Sequence, residues 1–193
     1  MSGFNADWHR LRAGHFPIGH LLRRDGATHW LRFHSLPASK RYAETPDEWQ
    51  ILLSRQNELA KIVLGEEPCW LVQSHWVTPS GTIDIADADD PFRATRELGL
   101  LFAFQFKDPQ EAEEDKLWNV HALLSEWSAG KFDAVLRDIA EYRAGPTLWM
   151  SSTSGAIFAP YDGGVDLFLP SQSTVASLVR AHPDWLSSHP TGL

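Results

Sequence analysis

Apolar and polar positions alternate on both sides of Asp25-Gly26, from Ile18 to Arg24 and from Ala27 to Ser35. Asp-Gly suits a two-residue type I′ turn, so the pattern predicts a β-hairpin. In that register Ile18, Leu22, Leu31 and Phe33 share the core face. Arg23, Trp30, Arg32 and His34 emerge on the other. The period then changes. Thr45-Pro46-Asp47-Glu48 offers an N-cap hydroxyl, proline at the first helical position and a glutamate three residues after the cap, which together make a capping box. Trp49, Leu52, Leu53, Gln56, Leu59, Ala60 and Val63 follow at helical spacing, and Gly65 supplies the stop.

Strand patterns return at Cys69 to Trp76 and at Leu98 to Phe106, where Phe102, Phe104 and Phe106 fall on one face. Residues 77 to 91, with Pro79, Gly81, Pro91 and four aspartates, read as a surface loop, and Asp108 to Asp115 as an exposed connection. Leu117 to Trp127 alternates with Trp118, Val120, Ala122 and Leu124 on one side, which predicts a strand; a helix starting near Glu111 is the alternative. Phe132, Val135, Leu136, Ile139 and Tyr142 form an amphipathic helical stripe ending at Gly145. Short strands are expected near Thr147 to Ser151, Ala156 to Ala159 and Val165 to Leu169. Ser171 caps a last helix reaching about His182.

These elements predict an α+β fold, mostly antiparallel sheet with about three helices. The whole chain, 1–193, reads as a single domain, with 1–15 and 186–193 irregular. Cys69, the only cysteine, sits in an apolar run and reads as a core residue rather than a reactive thiol. There is no signal-peptide pattern after Met1 and no apolar run of membrane-spanning length, so a soluble cytoplasmic protein with no membrane partner is expected.

Charge changes the picture in one region. The chain carries 17 Lys and Arg against 25 Asp and Glu, a formal charge of −8, which argues against nucleic acid as a partner. Yet residues 1–44 hold seven basic side chains against three acidic ones. Arg32, His34, Ser39, Lys40 and Arg41 therefore form a candidate ligand-binding set. Guanidinium forks, an ammonium, an imidazole and hydroxyls are the groups that hold phosphate or carboxylate. Arg32 or Arg41 could equally bridge to Asp162 or Asp166 as part of the fold.

Other chemistry is sparser. Asp162 and Asp166, in Tyr161-Asp162-Gly163-Gly164-Val165-Asp166, are candidate catalytic carboxylates, with a plain hairpin turn as the alternative. His121 is a candidate general base without an identifiable partner. His20 and His29 would be diagonal neighbours on the hairpin. Asp84, Asp87, Asp89 and Asp90 lack the spacing and closing glutamate of a calcium loop. No zinc, Walker, dinucleotide or serine-hydrolase motif occurs, so neither a metal nor a cofactor is expected.

Two stretches resemble a known family together. His34-Ser35-Leu36-Pro37-Ala38-Ser39-Lys40-Arg41-Tyr42-Ala43-Glu44 is similar to the N-terminal signature of a group of uncharacterised bacterial proteins. Tyr161 to Asp166, with Asp184-Trp185-Leu186-Ser187, is similar to their C-terminal signature. The resemblance implies a bacterial, intracellular, undivided domain and brings no activity, cofactor or catalytic residue with it.

Two functional expectations remain. One is a non-catalytic binding protein with a protein partner, like immunity proteins in composition only. The other is a small enzyme acting on a phosphorylated or carboxylated metabolite through Arg32, His34, Lys40, Arg41, Asp162 and Asp166. The geometry that discriminates them is whether the two signatures meet in one concave pocket.

Overall fold

A computed structural model describes residues 3–77, 90, 92–93, 95–110 and 117–186. In chain order the elements are α1 (Phe4–Arg12), α2 (Gly19–Arg24), β1 (Trp30–His34), α3 (Pro46–Leu64), β2 (Cys69–Val77), β3 (Leu101–Phe106), β4 (Leu117–Ser125), α4 (Asp133–Ala140), β5 (Thr147–Ser151), β6 (Ile157–Tyr161), β7 (Gly164–Phe168) and α5 (Gln172–Ala181). The seven strands form one sheet of order β1-β7-β6-β5-β2-β4-β3, and every pairing is antiparallel. The α+β class holds, with five α-helices among the described residues in place of about three.

Strand alternation builds a core on each face of the sheet. Leu71, Trp149, Phe158 and Leu167 meet α3, α4 and α5 on one side. Val72, Met150, Ile157 and Phe168 meet α1 and α2 on the other. The capping box at Thr45 is complete: its side chain accepts from Glu48 N, and Glu48 reaches back to Thr45 N. Ser171 caps α5 by accepting from Thr174 N. Cys69 is fully buried, and burial pushes its thiol pKa up to about 11.

The first half of the expected hairpin is a helix. Ile18, Leu21 and Leu22 are all buried, and they are spaced i, i+3, i+4. Gly26 has φ +73°, which serves α2 as a left-handed stop, with Ala27 N donating to Leu22 O. Asp25 keeps φ −84°, whereas a type I′ turn needs a positive φ at both positions. Strand β1 pairs instead with β7, with Arg32 opposite Asp166. Leu31 and Phe33 consequently lie in the core beneath α3, while Ile18 and Leu22 lie in the other core. His20 is on α2 and His29 is in the loop before β1 with φ +56°, so they are not diagonal neighbours across a hairpin.

Two further differences have local causes. Phe4–Arg12 is helical and buries Phe4 and Trp8; its N-cap, Gly3, makes no side-chain cap bond, so the usual start signal is missing. A bulge between Phe102 and Phe104 shifts the β3–β4 register. Phe104 stacks on Phe4 and Phe106 on Phe16, but Phe102 turns to the other face, 59% exposed, against His121. Asp84, Asp87 and Asp89 lie outside the described residues. Asp90 accepts from Phe92 N and pairs with Arg96.

Candidate functional site

The β1–β7 register is what assembles the site. Placing Arg32 opposite Asp166 lets the guanidinium donate from Nε to Oδ1 at 2.8 Å and from Nη2 to Oδ2 at 2.9 Å. Trp30 Nε1 donates to the same Oδ1 at 2.9 Å. Asp166 is 3% exposed, so this is a buried, bidentate, charge-assisted pair. The Arg32 guanidinium carbon lies 4.8 Å from the Tyr161 ring centroid and 5.5 Å from that of Trp30. Burial pulls the Arg32 pKa down, the Asp166 bond pushes it up, and the net direction is up. Burial also raises the Tyr161 phenol to about 12, so it stays protonated at neutral pH.

A second pair stands one turn away. Arg41 Nε donates to Asp162 Oδ2 at 2.7 Å, and Tyr42 Oη donates to the same oxygen at 3.2 Å. Asp162 and Gly163 form the two-residue connection between β6 and β7. Gly164 is required by close approach: a Cβ there would lie 2.2 Å from Phe33 O and 2.9 Å from Tyr161 Oη. The two signatures therefore meet through Arg41 and Tyr42 on Asp162, and Arg32 just before the first of them joins Asp166 in the second.

Arg32, Tyr161, Asp162 and Asp166 line one cavity of about 510 Å³. Its wall also includes Ile18 and His20 at the start of α2, Trp76 at the end of β2, and the turn from Tyr142 to Pro146 after α4. Burial lowers the His20 pKa, and the Arg24 and Arg23 charges add to that against Asp108 and Asp166. Tyr142 has φ +59° and is 78% exposed. It occupies the left-handed position after α4, where Arg143 N donates to Asp138 O and glycine is the usual residue.

The other expected ligand residues are not part of this wall. Lys40 Nζ donates to Glu44 at 2.9 Å and to Glu48 at 2.7 Å, which ties it to the start of α3. Ser39 is exposed with φ +57°, next to Ala38 at φ +53°. His34 shares the Arg32 face of β1, as alternation requires. Its Nε2 is buried without a partner, and burial first, then Arg32 and Arg55, lower its pKa. Arg41 is outside the lining and reaches it through Asp162.

His121 lies on the opposite face of the sheet from Val120 and Ala122, away from the Asp166 side. Its ring stacks on His75 at 5.0 Å and meets Phe92 and Phe102 edge-on. Burial lowers both imidazole pKa values, that of His75 to about 4 with His121 adding to the shift.

Sequence reasoning did not place His20, Trp76, Tyr142 or Tyr161 on the cavity wall, nor Trp30 against Asp166. Tyr161 was within reach, because it opens the Tyr161 to Asp166 signature. Nothing local marked Tyr142 or Trp76, which arrive through the packing of α4 and β2.

Among the described residues no helix is long and apolar enough to cross a membrane. No curated protein and no solved structure matches the chain. A family model described as "Domain of unknown function (DUF3885)" matches residues 18–190, from the start of the cavity wall to beyond the second signature, and the chain belongs to that family.

Proposed function

We propose that this chain is a non-catalytic binding protein and that its cavity is the binding site. The observation that carries this reading is the state of its carboxylates. Asp166 accepts three hydrogen bonds, two of them from Arg32, and Asp162 accepts from Arg41 and Tyr42. Both carboxylates are already taken up by donors of the fold itself. Beside the His20 imidazole, the cavity thus offers a fixed guanidinium and aromatic surface, with both of its carboxylates engaged. The same reading takes the acidic chain as a cytoplasmic protein that avoids nucleic acid, with a protein partner as the second kind of ligand.

A second reading, a small enzyme acting on a phosphorylated or carboxylated metabolite, is favoured by the meeting of Arg32, Tyr161, Asp162 and Asp166 on one cavity. A thermal-shift screen of such metabolites, followed by mass analysis of each hit, separates the two. A compound that raises Tm and is recovered unchanged supports the binding protein. Conversion of the hit, abolished in Asp162→Asn, supports the enzyme.

A further inference from the structure

We propose that the cavity ligand is an aromatic oxyanion, a planar ring bearing a carboxylate or phosphate, with the anionic end against Arg32 and the ring against Tyr142. The inference rests on the reading of the cavity as a binding site and names the class of molecule it takes. Arg32 contributes a guanidinium fixed from two sides. Asp166 holds Nε and Nη2, and the guanidinium carbon lies 5.5 Å from the Trp30 ring centroid and 4.8 Å from that of Tyr161. Nη1 makes no hydrogen bond among the described residues, and Arg32 lines the cavity. Such a preoriented fork recognises an oxyanion at little entropic cost.

The wall carboxylates Asp162 and Asp166 are both paired with arginines, and one further cation stands near. Arg23 forms no ion pair among the described residues, and its buried Nε has no acceptor. Its charge acts on His20 and Tyr161, both of which line the cavity. Arg24 is neutralised by Asp25 and Asp108, and Arg143 by Asp138 and Glu141, whereas Arg23 has no carboxylate partner among the described residues.

The ring end is argued from Tyr142. A tyrosine in the left-handed region costs about 1 kcal/mol or more relative to glycine. Its side chain is 78% exposed, so no packing in the fold offsets that cost. Backbone strain of this kind clusters at ligand-binding sites. Tyr142, with Trp76 and Pro146 on the same wall, presents aromatic and apolar surface to a planar ligand.

The test uses three probes on the full chain, followed by ¹H–¹⁵N spectra: naphthalene-2-carboxylate, phenyl phosphate and neutral naphthalene-2-carboxamide. The carboxylate is expected to shift the Tyr142 and Trp76 signals and to bind about tenfold more tightly than the amide. Phenyl phosphate binding more tightly than the carboxylate assigns the oxyanion as phosphate, and the reverse order as carboxylate; either supports the proposal. The paired variant Arg32→Met with Asp166→Leu is expected to erase the preference for the anion. Tyr142→Gly, which needs no repacking, is expected to weaken all aromatic probes severalfold. Equal binding of acid and amide inside the cavity overturns the oxyanion class but leaves the cavity a binding site. Undisturbed Tyr142 and Trp76 signals with all three probes overturn both.

Discussion

Replacing Asp166 by asparagine keeps the shape of the side chain and removes its charge. The carboxylate is 5% exposed and its arginine partner 13%, so little solvent is available to compensate. The amide keeps one oxygen for Trp30 Nε1 and Arg32 Nε, but it presents a second donor to Arg32 Nη2. The guanidinium is left charged and poorly matched in a buried setting, which costs about 3–5 kcal/mol. That is a large share of the roughly 5–15 kcal/mol that holds a domain together. Urea unfolding followed by tryptophan fluorescence reads it directly. With an m-value of about 2 kcal/mol/M the midpoint falls by about 2 M. The paired variant Arg32→Met with Asp166→Leu removes both charges and is expected within about 1 kcal/mol of wild type. The difference between the two variants separates the cost of an orphaned charge from the net worth of the pair. An Asp166→Asn midpoint within about 0.5 M of wild type would refute the reasoning, since the pair would then be solvated and Arg32 not fixed.

Other outcomes follow from single positions. Tyr142→Gly relieves the φ of +59° and raises stability by about 1 kcal/mol in the same unfolding assay. Gly164→Ala places a Cβ 2.2 Å from Phe33 O, so β1 must shift from β7; a loss of about 3 kcal/mol is expected, and an unchanged midpoint would mean a different β1–β7 approach. His75 titrates at about 4 when folded, against 6.5 as its ordinary value, through burial and the neighbouring His121. The unfolded chain therefore takes up the proton first, so the contribution is intact above pH 6.5 and is lost as pH falls toward 4, by about 3 kcal/mol at most. His75→Phe is expected to flatten the pH dependence of the midpoint between those values, and an unchanged slope would assign it to other groups.

The parts of the fold legible in the sequence are those whose signals are local. The α3 capping box uses residues three apart, and β4 shows its alternation from Leu117 to Leu123, breaking only at the exposed Leu124. Asp25-Gly26 was misleading because glycine with a positive φ ends a helix as readily as it turns a hairpin. The spacing of Ile18, Leu21 and Leu22 carried the helical alternative. Phe102 could not be placed from alternation, because one bulge inverts every face before it.

The candidate site was half legible. Its charged residues stood out as types, and bridges from Arg32 or Arg41 to Asp162 or Asp166 were among the outcomes the sequence left open. What fixed the partners was the β1–β7 register, a pairing between strands more than a hundred residues apart in the chain. Lys40 looked equivalent to Arg41 in sequence, but its nearest carboxylates are Glu44 and Glu48 on its own segment. His34 follows the strand alternation yet ends with an unpartnered Nε2 outside the cavity wall. Tyr142 and Trp76 complete the wall through packing between distant elements, for which a single sequence carries no local signal.

The claim on which the rest depends is that Arg32 is held rigidly by Asp166 with one edge left for a ligand. Guanidinium proton NMR at low temperature tests it most directly. A resolved, slowly exchanging Arg32 Nε proton is predicted, together with a change in the Nη1 protons when phenyl phosphate is added. An Arg32 signal averaged with solvent, unaltered by the anion and by Asp166→Asn, would contradict it.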